Sequence, residues 1–357
     1  MAFSLDTRLT RLLGCRYPIV QTAMGWVAEP RLVAASCNAG AFGFLAGATI
    51  EPGRMEAAIL ETRALTDRPF GVNFHMYQSN ADAIVDLVIR HGVRAVSYSR
   101  SPGKAMIGRL KDAGVVCMPT VGALKHALKA VEMGADVVTV QGGEGGGHTG
   151  SVPTSILLGQ VVDALDVPVV AAGGFKDGRG LVSALALGAE GIAMGTRFLM
   201  SAESPVPAAT LERYLKVRDP AAIIVSRAID GLPQRMIRNE LLDGLERSGG
   251  LRRLLLALRS ALAYRRHSGA SLVQLLGSAF RLRGDDGLSA AQTLMAANAP
   301  MVIQKAMVDG QPAEGVLPAG QIAAAIDGLP ACAELIESIV QQAEQCLAAL
   351  CRQTEPS

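Results

Sequence analysis

Several features that would place a chain in a known functional class are missing from this one. Six cysteines (Cys15, Cys37, Cys117, Cys332, Cys346 and Cys351) are scattered with no Cys-x-x-Cys pair, and no His/Cys/carboxylate cluster stands at ligand spacing. No metal site is therefore expected, and the thiols read as reduced, mostly buried groups of a cytoplasmic protein. Charge of either sign is also lacking: 34 Lys and Arg against 32 Asp and Glu leave a net charge of +2. Such a balance gives no global attraction to nucleic acid or to an anionic membrane. Gly, Pro or charge interrupts each apolar run before the roughly 18 residues that a membrane span needs. The N-terminus, Met-Ala-Phe-Ser-Leu-Asp-Thr-Arg8, has no signal-peptide apolar core. Aromatics are few, with one tryptophan, whereas half of the residues are apolar and 39 are glycine. Small residues in such number suit close helix–strand contacts. The 357 residues are enough for one large α/β barrel or two ordinary domains.

From residue 17 to 200, short apolar runs alternate with helix-length segments. The runs predict strands at 18–21, 41–45, 69–73, 95–98, 115–120, 136–141, 168–172 and 191–194. Most are continuously apolar, the pattern of parallel strands buried on both faces. Between them, helices are predicted at 30–39, 81–90, 104–113, 123–133, 155–165 and 180–187. Eight strands alternating with helices are the count for a closed (β/α)8 TIM barrel. An open doubly wound sheet competes, but it would leave two exposed edges. After residue 204 the strand signals thin out. The expected organisation is a TIM barrel from residues 1–204 and 305–351, with a smaller, mainly helical inserted lid at 205–304. Residues 235–283 hold ten arginines and three acidic residues. They read either as the solvated face of the insertion or as a landing site for a polyphosphate-bearing substrate such as a CoA thioester.

The densest chemical signal is Val137-Val-Thr-Val-Gln141-Gly-Gly-Glu-Gly-Gly-Gly-His148-Thr-Gly150, where a β-branched strand runs into glycines and one histidine. Glycine lets backbone approach a ligand closely. The segment formally contains Gly-x-Gly-x-x-Gly. A dinucleotide fold, however, needs the first glycine to turn into a helix after the first strand. Here Thr149-Gly-Ser-Val-Pro153 delays the helix, and the strand is the sixth. Two further glycine turns, at Gly173-Gly174 and at Met194-Gly195-Thr196, end the seventh and eighth predicted strands. In a TIM barrel the loops there often form a phosphate cup, although either turn alone is also an ordinary βα connection. Thr22-Ala-Met24-Gly25 follows the first strand and offers soft, flat contacts beside Trp26, with core filling as the plain alternative for Met24. Asn73, Thr120 and Gln141 stand at strand carboxyl ends, where barrel active sites assemble. Capping of the strand-end backbone is their structural alternative.

These pieces together resemble the nitronate monooxygenase (2-nitropropane dioxygenase-like) family of FMN-dependent TIM-barrel oxidoreductases. The matching stretches are Pro18-Ile-Val-Gln-Thr-Ala-Met-Gly25, Arg68-Pro-Phe-Gly-Val-Asn73, Gln141-Gly-Gly-Glu-Gly-Gly-Gly-His148, Ala172-Gly-Gly-Phe-Lys-Asp-Gly-Arg-Gly180, Met194-Gly-Thr-Arg-Phe198 and Ala319-Gly-Gln321. They follow family order through nearly the whole chain. The resemblance implies FMN held by Thr22, Ala23, Met24, Gly25, Asn73, Thr120, Gln141, Gly142, Gly146, Gly173, Gly174, Met194, Gly195 and Thr196, with His148 as catalytic acid/base. Within the family the chain is most similar to the member of bacterial steroid ring C/D degradation that acts on bicyclic CoA thioesters.

The expected reaction moves a hydride between flavin N5 and a carbonyl-activated substrate. An unperturbed histidine, with a pKa of about 6.5, suits the accompanying proton transfer. The alternatives are oxidation of alkyl nitronates with O2, and an enoyl-thioester or quinone reductase that takes NAD(P)H as redox partner. Trp26, His75, Arg252 and Arg253 are the candidate substrate contacts. The protein is expected to be a monomer or homodimer with small-molecule partners only.

Overall fold

A computed structural model describes residues 5–76, 80–99, 102–247 and 290–354. They divide into two compact units, one of residues 1–145, 149–205 and 321–357, the other of residues 146–148 and 206–320.

The first unit is a closed parallel barrel of eight strands. In chain order these are β1 (Ile19–Gln21), β2 (Phe42–Leu45), β3 (Gly71–His75), β4 (Ala95–Ser99), β5 (Val116–Val121), β6 (Val138–Gln141), β8 (Val169–Ala172) and β9 (Gly191–Met194), with β1 pairing back to β9. The two-residue strand β7 (Gly147–His148), between β6 and β8 in the chain, is part of the other unit. Helices such as Pro30–Asn38, Ala81–Arg90, Lys104–Asp112, Leu124–Glu132, Thr154–Val162 and Gly178–Ala186 alternate with the strands. The TIM barrel expected from the run of buried apolar segments is therefore what the chain builds, and each expected strand lies within two residues of an observed one.

Two devices complete the barrel. Helix Arg8–Leu13 opens on a Thr7 capping box and ends at Gly14. Its Leu9 and Leu13 share one buried cluster with Val20, Phe42, Phe44, Val116 and Ala193, so they fill the interior from the amino-terminal end of the strands. Helix Cys332–Thr354 packs on helix Gly178–Ala186, where a Cβ at Gly178 would stand 2.3 Å from Ala343 N. Among the described residues no helix is long and apolar enough to cross a membrane.

The second unit has helices Ala208–Lys216, Glu240–Arg247 and Ala290–Met307. It also has a three-stranded antiparallel sheet, ordered β10 (Ile223–Ser226), β11 (Gln234–Ile237), β7. Its core is Ala228, Ile229, Met236, Leu242, Ala299 and Val316. Strands β10 and β11 of this sheet lie in the segment expected to be mainly helical. The strands are short, and β7 is contributed by a segment far from the other two in sequence. The compact unit runs to Gly320, whereas the expected insertion stopped at residue 304.

Candidate active site

Strand alternation places the expected residues of the barrel unit. Val20, Ala95, Val116, Met118, Val137 and Ala193 face the interior cluster, and Gly71 faces the Phe44 ring. Counting on by two puts Thr22, Asn73, Ser97, Thr120, Gln141 and Gly195 on the same side at the carboxyl ends. All of these except buried Ser97 are half-buried, while the strand bodies behind them are closed. Asn73 Nδ2 donates to Ser97 O at 3.0 Å and to Ser97 Oγ at 3.1 Å. One residue pair further out, His75 Nδ1 meets Ser99 Oγ at 3.1 Å. Ser97 and Ser99 were not among the expected residues. Two serines spaced two apart in Ala95-Val-Ser-Tyr-Ser99 were the available signal.

Around this ring the backbone comes unusually close. A Cβ at Gly142 would lie 2.2 Å from Thr154 Oγ1 and 2.3 Å from Thr154 Cα, so only a bare Cα fits. Gly173 and Gly174 follow with φ of 101° and 88°, a left-handed pair that side chains disfavour. Glu144 ties this region down: its Oε2 accepts from Thr154 N at 2.8 Å and from Thr154 Oγ1 at 2.7 Å. It thereby occupies the amino end of helix Thr154–Val162. Asp177 does the same for helix Gly178–Ala186 through Gly180 N. Helix Thr196–Leu199 has no such side-chain cap. Of the groups expected to bind a phosphate, the amino ends of the two longer helices are thus already met by Glu144 and Asp177, and the backbone of Gly173-Gly174 and Gly195-Thr196 is what could still offer donors to one.

The remaining residues of the first loop behave differently from one another. Thr22 N donates to Met194 O at 3.2 Å, and Met24 Sδ would lie 3.4 Å from a Cβ on Gly195. Ala23 packs against the interior cluster. The Met194 side chain is buried and alternates with inward Ala193, so it faces away from the ring and presents only its backbone there. Trp26 sits at φ 59°, the one left-handed residue other than glycine among the described residues. Its backbone N–H donates to Thr49 Oγ1 at 3.1 Å, while Val27 N and Ala28 N both donate to Met24 O. A bulky residue held there costs on the order of 1–3 kcal/mol, a strain that collects at functional sites. Nothing in the local sequence announces it.

These groups fit a flat heteroaromatic ring with a polar edge and a phosphate tail. Asn73, Gln141, Thr22 and Thr120 can donate or accept, and the glycine turns leave room for backbone donors.

In the second unit His148 lies on β7 beside Gln234 of β11. Its side chain is 60% exposed. The ring Nε2 is 2.7 Å from Oδ2 of Asp230, which is only 5% exposed. Gln234 Nε2 donates to the same Oδ2 and lies 3.2 Å from His148 Nε2, and Leu232 N donates to Oδ1 at 3.0 Å. Burial pushes the Asp230 carboxyl up, but the His148 hydrogen bond and charge, with the Leu232 and Gln234 donors, hold it below the usual carboxylate range. Asp230 and Gln234 were not anticipated. Gly146 belongs to this unit too, where a Cβ would strike Ala319 and Gly320 backbone at 2.6 Å. Arg252 and Arg253 lie outside the described residues, as does much of the arginine-rich segment.

Comparison with known proteins gives a consistent picture. The family model described as nitronate monooxygenase matches residues 6–342. Two relatives are each a (3aS,4S,5R,7aS)-5-hydroxy-7a-methyl-1-oxo-octahydro-1H-indene-4-carboxyl-CoA dehydrogenase. The one from Rhodococcus jostii (strain RHA1) is 48% identical over 340 residues, covering 95% of this chain and 96% of that protein. The one from Mycobacterium tuberculosis (strain ATCC 25618 / H37Rv) is 48% identical over 342 residues with the same coverage. Among solved structures, FabK from Thermotoga maritima superposes with a TM-score of 0.79 at 30% identity, over 97% of this chain and 98% of that one.

Proposed function

The chain belongs to the nitronate monooxygenase family and is an oxidoreductase, and from that premise we propose that it is an FMN-dependent dehydrogenase of a bicyclic CoA thioester. The observation that carries the substrate class is the 48% identity, over 95% of the chain, to two dehydrogenases whose names specify an octahydroindene carboxyl-CoA. The fit of the barrel-mouth residues to a flat ring and phosphate, joined to the family resemblance, supports FMN as the cofactor.

In this reading Thr22, Ala23, Met24, Gly25, Asn73, Thr120 and Gln141 hold the ring system. The backbone at Gly142, Gly173, Gly174, Met194, Gly195 and Thr196 binds its polar edge and phosphate, and Gly146 keeps the loop to His148 closely packed. FMN, when bound, supplies the two-electron exchange with carbon. His148 removes a proton from the carbon α to the thioester carbonyl, which acidifies that C–H bond. The neighbouring carbon gives up its hydrogen with the bonding pair, so the product is the α,β-unsaturated thioester. A positioned base of this kind contributes on the order of 10²–10⁴ in rate. Trp26 and His75 are the substrate contacts assigned to the barrel unit.

The arginine-rich segment is assigned to the CoA phosphates, because guanidinium groups bind phosphate bidentately. Changing Arg252 and Arg253 together to alanine is expected to raise KM for the CoA thioester several-fold while leaving the free acid unaffected. Equal effects on the two substrates would remove the CoA assignment.

A further inference from the structure

We propose that Glu144 is a positioning residue of the flavin site: through Thr154 its carboxylate locks the glycine turn after β6 to the glycine turn after β8, and so holds their backbone in place for the cofactor's polar edge and phosphate. The proposal rests on the reading of the barrel mouth as an FMN site and adds to it a residue that has no contact assigned there.

The need for such a residue is visible in the chain itself. From residue 142 to residue 147 every residue except Glu144 is glycine. A loop of this kind gives up the most conformational freedom on ordering and has almost no side chains to hold it. Glu144 is its one side-chain anchor. The Oε2 atom takes two hydrogen bonds from a single residue, Thr154 N at 2.8 Å and Thr154 Oγ1 at 2.7 Å. Thr154 is only 5% exposed, so little water competes for these donors, and a carboxylate acceptor makes the bonds strong.

The same threonine leads on to the second turn. Its Oγ1 stands 3.1 Å from Gly173 O, and a Cβ at Gly173 would lie 3.0 Å from both Thr154 Oγ1 and Gly145 N. A Cβ at Gly174 would meet the Glu144 side chain at 3.7 Å. Gly142 presses on Thr154 as well, and its N–H donates to Ala172 O at 3.0 Å. The backbone of Glu144 is tied separately, its carbonyl accepting from Gln321 N at 3.0 Å.

A plain helix cap is the simpler account, since Pro153 gives helix Thr154–Val162 no side-chain bond. Capping explains the bond to Thr154 N alone. The hydroxyl bond, its continuation to Gly173 O and the packing on Gly174 do nothing for the helix end. All three run to the β8 turn.

The test strips flavin from the full-length protein and titrates FMN or riboflavin back by fluorescence quenching, well below the unfolding temperature. Riboflavin lacks only the phosphate. Wild type is compared with Glu144→Ala, Glu144→Gln and Thr154→Val. In Glu144→Ala and Thr154→Val the Kd for FMN is expected to rise about 10- to 100-fold, the factor carried by one charge-assisted hydrogen bond, and the Kd for riboflavin by less. Glu144→Gln keeps an acceptor oxygen for Thr154 and should recover most of the FMN affinity. Thr154→Val keeps the side-chain shape and the bond from its N–H, so it carries the test if Glu144→Ala fails to fold. A lower Tm with both affinities unchanged, or an equal loss for the two flavins, overturns the proposal alone. A wild-type protein that takes up neither flavin overturns the FMN reading and this proposal with it.

Discussion

The two units of this chain put polar groups to opposite uses. In the barrel they are spread over several strands around the carboxyl ends, none of these strand-end groups a carboxylate, and lie among close-packed glycine backbone at Gly142, Gly173 and Gly174. In the smaller unit they are concentrated: one carboxylate, one imidazole and one amide share a single oxygen, Asp230 Oδ2. The first arrangement can hold a large ligand by many weak contacts. The second can hold and release one proton. On the proposed reading, binding falls to the first arrangement and proton transfer to the second.

Removing the imidazole should do the most to break this contrast. His148→Ala is expected to lower kcat/KM by about 10²–10⁴, or about 3–5 kcal/mol of barrier, while FMN stays bound. Loss of flavin from that variant would show that the contrast between the units is drawn in the wrong place.

Next in size is Gly142→Ala. Its Cβ would collide with Thr154 backbone atoms at 2.3–2.5 Å, and overpacking of this kind costs about 1–3 kcal/mol. Lower Tm and weaker FMN retention are expected together, measured by thermal unfolding and by flavin release on dialysis. Gly244→Ala, which removes a glycine from helix Glu240–Arg247 of the other unit and meets no described residue within 4 Å, should instead raise stability by about 0.5–1 kcal/mol.

The smallest effect concerns acid. The folded pKa of Asp230 is lowered, so its stabilising contribution is complete above the unfolded value of about 3.9 and is lost as pH falls through the lower folded value. Acid unfolding of Asp230→Asn should therefore begin from a less stable protein at neutral pH and depend less on pH below about 4. Parallel acid-unfolding curves for variant and wild type would show that the His148 contact does not tune this carboxyl.

The barrel was legible because each strand is a short apolar run closed by glycine or a polar strand-end residue, and because helix Ala81–Arg90 shows an unbroken amphipathic period. Antiparallel pairing in the small unit was not, since β7 has two residues and its partner Gln234 lies 86 positions beyond His148. Asp230 was hidden for a related reason. In Ala228-Ile-Asp-Gly-Leu232 it reads as an ordinary Asp-Gly turn, and only the tertiary pairing brings it to the ring. Met194 shows the limit of motif matching: it stands inside the matched stretch, yet strand alternation turns its side chain away from the mouth. The conformation of Trp26 depends on contacts with Thr49 and the Met24 carbonyl, which no local pattern specifies.

The most direct test of the central claim is the visible spectrum of the purified protein, followed anaerobically after adding the octahydroindene carboxyl-CoA thioester, propyl-2-nitronate or NAD(P)H in separate samples. The account predicts a yellow protein whose flavin absorbance bleaches with the thioester and not with the nitronate. Bleaching by the nitronate alone would assign it to nitronate oxidation, and bleaching by NAD(P)H alone to a reductase. A colourless protein that takes up no FMN would contradict the account altogether.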